Sequence, residues 1–192
     1  TAYLAYSFII GALIYPIYGK WIWGGGWLGT LTIGGATGAK DFAGSGVVHL
    51  LGGTLALVGA AMVGPRLGKF NRDGTPNVLK GHNLPYVVIG TFILYFGWFG
   101  FNPGSTPAAT DLRISVIAVN TFLAGATGAV IALYWGLTKT GKADIVLACN
   151  GALAGLVAVT APCAYIAPWA AVVIGAVAAP VMILVASFVE RV

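Results

Sequence analysis

The sequence predicts an all-α membrane protein, a polytopic bundle of transmembrane helices that forms one domain over residues 1–192. Hydrophobic residues make up 58% of the chain and charged residues only 8%, whereas a soluble domain carries about 25% charged residues. Six apolar stretches of roughly the length needed to cross a bilayer follow one another along the chain. We therefore expect a multi-pass integral protein of the cell membrane, in contact with lipid on its outer faces.

Each apolar stretch is predicted to form one helix, because polar or glycine-rich connections separate it from the next. The first stretch is short and is expected to extend through residues 21–23. A glycine-rich connection at residues 24–40 follows it, and a polar, basic connection at residues 65–81 follows the second stretch. The six predicted helices cover residues 2–18, 42–64, 84–101, 114–137, 145–163 and 168–189.

The basic residues predict the orientation of the bundle. Alternate connections fall on opposite sides of the membrane, and the side with more Lys and Arg is expected to face the cytoplasm. This topology accounts for the formal charge of +5 without a nucleic-acid partner. The connection at residues 24–40 and the segment after Phe101 then face outward. The basic residues of the cytoplasmic side are Arg66, Lys69, Arg72, Lys80, Lys139, Lys142 and Arg191, and those of the outer side are Lys20, Lys40 and Arg113.

His49 is the residue of the second apolar stretch that is most costly to keep in a bilayer. It lies in a run of residues, 42–64, that contains no Lys, Arg, Asp or Glu. An ionisable side chain in such a run is expected to face a pore or the protein interior and to have a function. Asp41 directly precedes the run, and we expect its carboxylate to cap the helix by accepting from the N–H of Ala43 or Gly44. His49 would then lie about 12 Å along the helix, near the middle of the membrane.

A second pattern, FGWFGFNPGS at residues 96–105, ends the third predicted helix at its outer side. Two interpretations stay open. The rings form an aromatic belt at the membrane interface, or they form a cage for a small cation, which ring faces attract and to which a Ser hydroxyl adds an acceptor. The glycines of this pattern predict close backbone packing. The candidate cage residues are Trp98, Phe99, Phe101 and Ser105, together with Trp21, Trp23 and Trp27.

Enzyme chemistry is not indicated. The sequence contains no recognisable nucleophile–base pair, phosphate-binding loop or metal-ligand cluster, so we expect no catalytic residue, no metal and no cofactor. Cys149 and Cys163 are expected to lie in one helix about 21 Å apart, too far for a disulfide, and to act as small buried apolar residues.

Six patterns, in order along the whole chain, resemble the ammonium transporter family, which is related to the Rhesus proteins. Members of that family have about eleven transmembrane helices, and the six predicted here look like the fourth to the ninth. The resemblance implies the ammonium-transporter fold and a homotrimer. The patterns are WGGGWL at 23–28, DFAGSGVVH at 41–49, GHNLP at 81–85, GWFGFNPGS at 97–105, NT at 120–121 and NGALAGLVAVTAPC at 150–163.

The resemblance also implies roles for individual residues. Trp23 and Ser105 match an outer site that recruits ammonium, and Phe101 matches one ring of the gate beneath it. His49 matches the first of two pore histidines. Asp41 matches an aspartate that shapes the site without lining the pore.

The function implied by the resemblance is transport of ammonium, captured outside, deprotonated, and passed as ammonia through a hydrophobic pore lined by His49. Whether net ammonia or net ammonium crosses stays open. A sensor that signals to a cytoplasmic domain is the alternative, and a gas channel of the Rhesus type fits less well because Trp23 and Ser105 suit a cation. Methylammonium as a second substrate and a cytosolic regulatory protein bound at residues 65–81 are further implications.

Overall fold

The computed structural model describes residues 2–77, 79 and 81–190. Lys80 and Arg191, which the orientation prediction used, lie outside the described residues. The predicted fold class is confirmed: long apolar helices dominate, with one small hairpin between the first two. In chain order the elements are α1 (Ala2–Ile9), α2 (Tyr15–Ile22), α3 (Trp27–Thr30), β1 (Thr32–Ile33), β2 (Ala36–Thr37), α4 (Leu51–Val63), α5 (Leu84–Phe101), α6 (Arg113–Thr140), α7 (Ile145–Val159) and α8 (Pro168–Val189).

Two π-helical segments and one 3₁₀ turn extend these elements. The segment Ile10–Ile14 joins α1 to α2, the segment Ser45–Leu50 leads into α4, and the turn Pro103–Ser105 follows α5. Within the described residues, five helical segments are long and apolar enough to cross a membrane, and α7, with 15 residues, is a shorter apolar helix. The five segments are Ala2–Thr30, Ser45–Val63, Leu84–Ser105, Arg113–Thr140 and Pro168–Val189.

The predicted end of the fifth helix, at residue 163, is wrong. Helix α7 ends at Val159, and turns follow it up to α8. Cys163 therefore lies in these turns and does not share a helix with Cys149. Both thiols are free and buried, as expected.

Polar side chains begin two of the helices where the sequence changes from polar to apolar. The Asn83 side chain accepts from the N–H of Tyr86 at 3.1 Å and begins α5. The Asp144 carboxylate accepts from the N–H groups of Val146 and Leu147 at 2.9 and 3.0 Å and begins α7. These bonds satisfy N–H groups that have no partner within the helix itself.

Small residues hold the second half of the bundle together. A Cβ atom added to Gly155 of α7, or to Gly175 of α8, would overlap the carbonyl oxygen of Ala124 in α6. These two glycines therefore allow the backbones of α7 and α8 to approach α6 closely. The close packing predicted for Gly97 is not found, because nothing in the described part of the chain lies within 4 Å of a Cβ built there.

The glycine-rich connection between α2 and the second span is more structured than predicted. It contains α3 and the antiparallel pair β1–β2, in which Thr32 faces Thr37 and Ile33 faces Ala36. The connection returns the chain to Asp41, at the start of the span that carries His49.

Candidate functional site

The Asp41 carboxylate organises the beginning of the His49 helix. One oxygen accepts from the N–H groups of Gly44 at 2.8 Å and Ser45 at 2.9 Å. The other accepts from Gly46 and Val47, both at 2.9 Å. The side chain is buried, with 9% of the residue exposed. Asp41 therefore satisfies four N–H groups at the positive end of the helix, where a negative charge is stabilised.

The helix nevertheless begins later than predicted. Gly44 has a φ of 119°, a left-handed backbone conformation that favours glycine, and the helical segment starts only at Ser45. The predicted capping of Gly44 is confirmed. The alternative partner, Ala43, is wrong, because its N–H donates to the carbonyl oxygen of Thr160 at 3.2 Å instead.

The segment before this helix is bound to the end of α7. The N–H of Phe42 donates to the carbonyl of Ala161 at 2.9 Å. The Ser45 hydroxyl donates to the carbonyl of Val157 at 2.5 Å and accepts from the N–H of Ala161 at 2.7 Å. The start of the His49 helix is thus held by elements that lie more than 100 residues further along the chain.

His49 packs against two aromatic rings at the end of α5, which also contact each other. Its ring centroid is 5.1 Å from that of Trp98, with 29° between the planes, and 5.1 Å from that of Phe101, with 27° between the planes. Its Nε2 atom is buried and has no hydrogen-bond partner among the described residues. Buried polar atoms are nearly always paired, so we expect this atom to have a partner that lies outside the described residues.

The structure places His49 nearer the start of its helix than the sequence predicted. It is the fifth residue of the segment Ser45–Val63, which has 19 residues. Because the helix starts four residues after Asp41 rather than directly after it, the imidazole lies about one turn from the helix start. Its position near the middle of the membrane stays a prediction.

The other three predicted site residues flank this arrangement. The Trp23 indole N–H donates to the carbonyl of Asp41 at 2.6 Å, and 46% of the residue is exposed. Phe101 is the last residue of α5, and the hydroxyl of exposed Ser105 donates to its carbonyl oxygen at 2.7 Å. The five residues therefore form two groups. Trp23 is bonded to Asp41 in one, and Phe101 contacts both His49 and Ser105 in the other. In the described part of the chain no ring pair joins Trp23 to Phe101, and no hydrogen bond joins Trp23 to Ser105.

The candidate aromatic cage is divided into two clusters. Trp98 and Phe101, with ring centroids 5.9 Å apart, belong to the His49 cluster. Trp21 pairs with Trp27 at 5.9 Å and with Tyr18 at 5.8 Å in a separate cluster. The predicted cage of all these rings is therefore not formed by this part of the protein.

The sequence indicated Trp98 only as a candidate cage residue and not as a neighbour of His49. Its position three residues before Phe101 puts both rings on one face of α5, and this spacing could have identified it. Its indole N–H donates to the hydroxyl of Thr160 at 3.0 Å, a contact between residues 62 positions apart that sequence spacing does not reveal.

Metal binding finds no support in the described residues, which contain no group of three or more His, Cys, Asp or Glu side chains able to hold an ion. The site is instead built from one imidazole, two aromatic rings and backbone amides. Such a set suits a small polar molecule that exchanges hydrogen bonds with a ring nitrogen.

Comparison with known proteins adds relatives along the full sequence. The model of the Ammonium Transporter Family matches residues 1–192. Ammonium transporter Amt2 of Archaeoglobus fulgidus is 58% identical in an alignment 182 residues long, gaps included, that covers 93% of this chain and 39% of that protein. Ammonium transporter 1 member 3 of Solanum lycopersicum is 43% identical in an alignment 198 residues long, gaps included, that covers 95% of this chain and 43% of that protein.

Solved structures with the same arrangement also exist. One titled Sensor Amt Protein has a TM-score of 0.85 and 39% identity, over 95% of this chain and 45% of its own length. Candida albicans Mep2 has a TM-score of 0.79 and 38% identity, over 90% of this chain and 37% of its own length. The chain thus spans less than half the length of these relatives.

Proposed function

Because the chain belongs to the ammonium transporter family, we propose that the protein to which it contributes moves ammonium across the membrane, by capture of the cation outside, its deprotonation, and passage of ammonia past His49. As a family member it is an integral membrane protein and not an enzyme. The proposed transport steps rest on the geometry of a few residues.

The observation that carries the proposal is the stacking of the His49 imidazole on Trp98 and Phe101, with a buried Nε2 that has no partner among the described residues. The Nε2 atom of a neutral imidazole either donates or accepts one hydrogen bond, depending on the tautomer. Ammonia offers both functions. An ammonia molecule beside Nε2 would therefore pair with this atom without bringing a charge next to the rings of Trp98 and Phe101.

The same surroundings disfavour a bare cation. Moving an ion out of water costs several kcal/mol in a protein interior, and a cation–π contact returns only about 0.5–2 kcal/mol. Ammonium can avoid this cost by transferring a proton to water at the outer side and continuing as ammonia. Sodium and potassium have no proton to lose, so a hydrophobic pore would exclude them.

The outer residues support capture of the cation before that step. The Trp23 indole is oriented by its bond to the Asp41 carbonyl, and its half-exposed ring can attract a cation. The Ser105 hydroxyl uses its hydrogen on the Phe101 carbonyl. Its oxygen lone pairs therefore stay free to accept from ammonium.

The test is ammonium-dependent current and potassium exclusion in liposomes that contain the full-length protein with His49→Ala. His82→Ala is the matched control, because His82 is the second histidine and lies exposed in a connection. We expect His49→Ala to alter the current, the exclusion of potassium, or both, and His82→Ala to alter neither. Unchanged current and unchanged exclusion with His49→Ala would remove His49 from the mechanism.

Sensing is the second candidate function, supported by the neighbour whose title describes a sensor. A sensor would use the same outer residues and pass the signal to a cytoplasmic domain. The residues that flank this sequence in its gene discriminate the two functions, since a downstream signalling domain favours sensing.

We also propose, from the resemblance alone, a homotrimer, a second substrate and a regulatory partner. A homotrimer is tested by the mass of the purified protein in detergent. Methylammonium is tested by competition with ammonium uptake. A cytosolic regulatory protein at residues 65–81 is tested by co-purification with and without that segment; within it, Lys69 forms an ion pair with Glu190 just beyond α8.

A further inference from the structure

Thr160 forms hydrogen bonds with two segments that lie next to His49. It follows the last residue of α7 and is fully buried. Its hydroxyl accepts from the Trp98 indole N–H at 3.0 Å. Its backbone carbonyl accepts from the N–H of Ala43, next to the helix that carries His49, at 3.2 Å. One residue thus touches the wall beside the imidazole and the segment that leads to the imidazole.

The orientation of Thr160 is fixed in turn. Its hydroxyl hydrogen donates to the carbonyl of Leu156 at 2.6 Å, so its oxygen presents lone pairs to Trp98. A hydroxyl with its hydrogen committed elsewhere can only accept in that direction. The indole N–H of Trp98 has this one acceptor among the described residues.

We propose that Thr160 is a positioning residue for transport: it holds the Trp98 ring against His49 and thereby sets the width and polarity of the passage beside Nε2. This inference rests on the proposed function. Without the hydroxyl, the indole N–H would be left unsatisfied, and the ring would turn toward another acceptor. The stacked arrangement with His49 would then be lost.

The variants that test the proposal are Thr160→Val, which keeps the shape and removes the hydroxyl, and Thr160→Ser, which keeps the hydroxyl. Thr91→Val is the matched control, because Thr91 also donates to the carbonyl four residues earlier, Val87 at 2.8 Å, but has no indole partner. Each variant is made in the full-length protein and reconstituted in liposomes.

Ammonium uptake gives the first readout. We expect Thr160→Val to lower the maximal rate about tenfold, as loss of one buried hydrogen bond would, with little change in the half-saturating concentration. Thr160→Ser and Thr91→Val should transport like the parent protein. A Thr160→Val rate equal to that of Thr91→Val would overturn the proposal.

The vibrational signature of the Trp98 indole N–H, isolated by difference from Trp98→Phe, gives the second readout. We expect Thr160→Val to shift it to that of a weaker hydrogen bond, and Thr160→Ser to leave it unchanged. An unshifted signal would overturn the positioning role even if Thr160→Val transported poorly. If the parent protein moved no ammonium at all, the proposed function would fail, while the indole signal would still decide whether Thr160 holds Trp98.

Should Thr160→Val fail to fold, the change is made in a Trp98→Phe background. Because the indole donor is then already absent, Thr160→Ser and Thr160→Val should transport ammonium at the same rate in that background. A further large loss in that background, or failure to fold there as well, would assign Thr160 a structural role only and overturn the proposal.

Discussion

Replacing Asp41 with Asn should destabilise the protein strongly although the two side chains have nearly the same shape. Each carboxylate oxygen accepts from two N–H groups. An Asn amide supplies one oxygen and puts an NH₂ group at the place of the other, so two of the four N–H groups lose their acceptor. Whichever way the amide turns, one of the two is buried and the other half-buried. An unsatisfied, fully buried donor costs about 1–3 kcal/mol. One buried and one half-buried donor should therefore lower the free energy of unfolding by about 2–4 kcal/mol.

The assay is equilibrium unfolding of the full-length protein in mixed micelles with increasing denaturing detergent, followed by circular dichroism. Asp144→Asn is the matched control, since Asp144 also begins a helix but is exposed and accepts through one oxygen only. Asn caps helices as well as Asp does, so that change should cost less than about 1 kcal/mol. Equal losses for the two variants would refute the idea that the Asp41 carboxylate holds the start of the His49 helix through both oxygens.

Two further predictions concern the outer site and the helix packing. Trp23→Phe keeps a ring but removes the donor to the Asp41 carbonyl, so we expect the half-saturating ammonium concentration in liposome uptake to rise about tenfold; an unchanged value would contradict the role of a fixed indole. Gly155→Ala puts a Cβ against the Ala124 carbonyl, so unfolding should become easier by about 1–3 kcal/mol, whereas Gly90→Ala, with nothing within 4 Å among the described residues, should not. Equal stabilities of these two variants would argue against the close contact between α6 and α7.

The sequence was a reliable guide wherever a local cause decides the structure. The apolar stretches became helices because a bilayer leaves backbone groups no other partner, and Asp41 caps a helix because a carboxylate before an apolar run has unpaired N–H groups within reach. The late start of that helix depends on the left-handed conformation of Gly44. A glycine at this position allows that conformation but does not require it.

Contacts between distant parts of the chain were not predictable from spacing. Trp98 stacks on His49 and donates its indole N–H to the hydroxyl of Thr160, 62 residues later. Trp21 and Trp27, which the sequence placed in the same candidate cage, pair with each other instead. The difference between these tryptophans arises from tertiary packing, and one sequence carries no direct record of it.

The most direct test of the mechanism is an experimental structure of the full-length protein, determined with and without ammonium, at a resolution that shows ordered small molecules. We predict that His49 remains stacked on Trp98 and Phe101, and that a molecule of ammonia or water occupies the space about 3 Å from its Nε2 in a continuous tunnel. An imidazole turned toward lipid, or an Nε2 bonded to a protein group that closes the tunnel, would contradict passage of ammonia past His49.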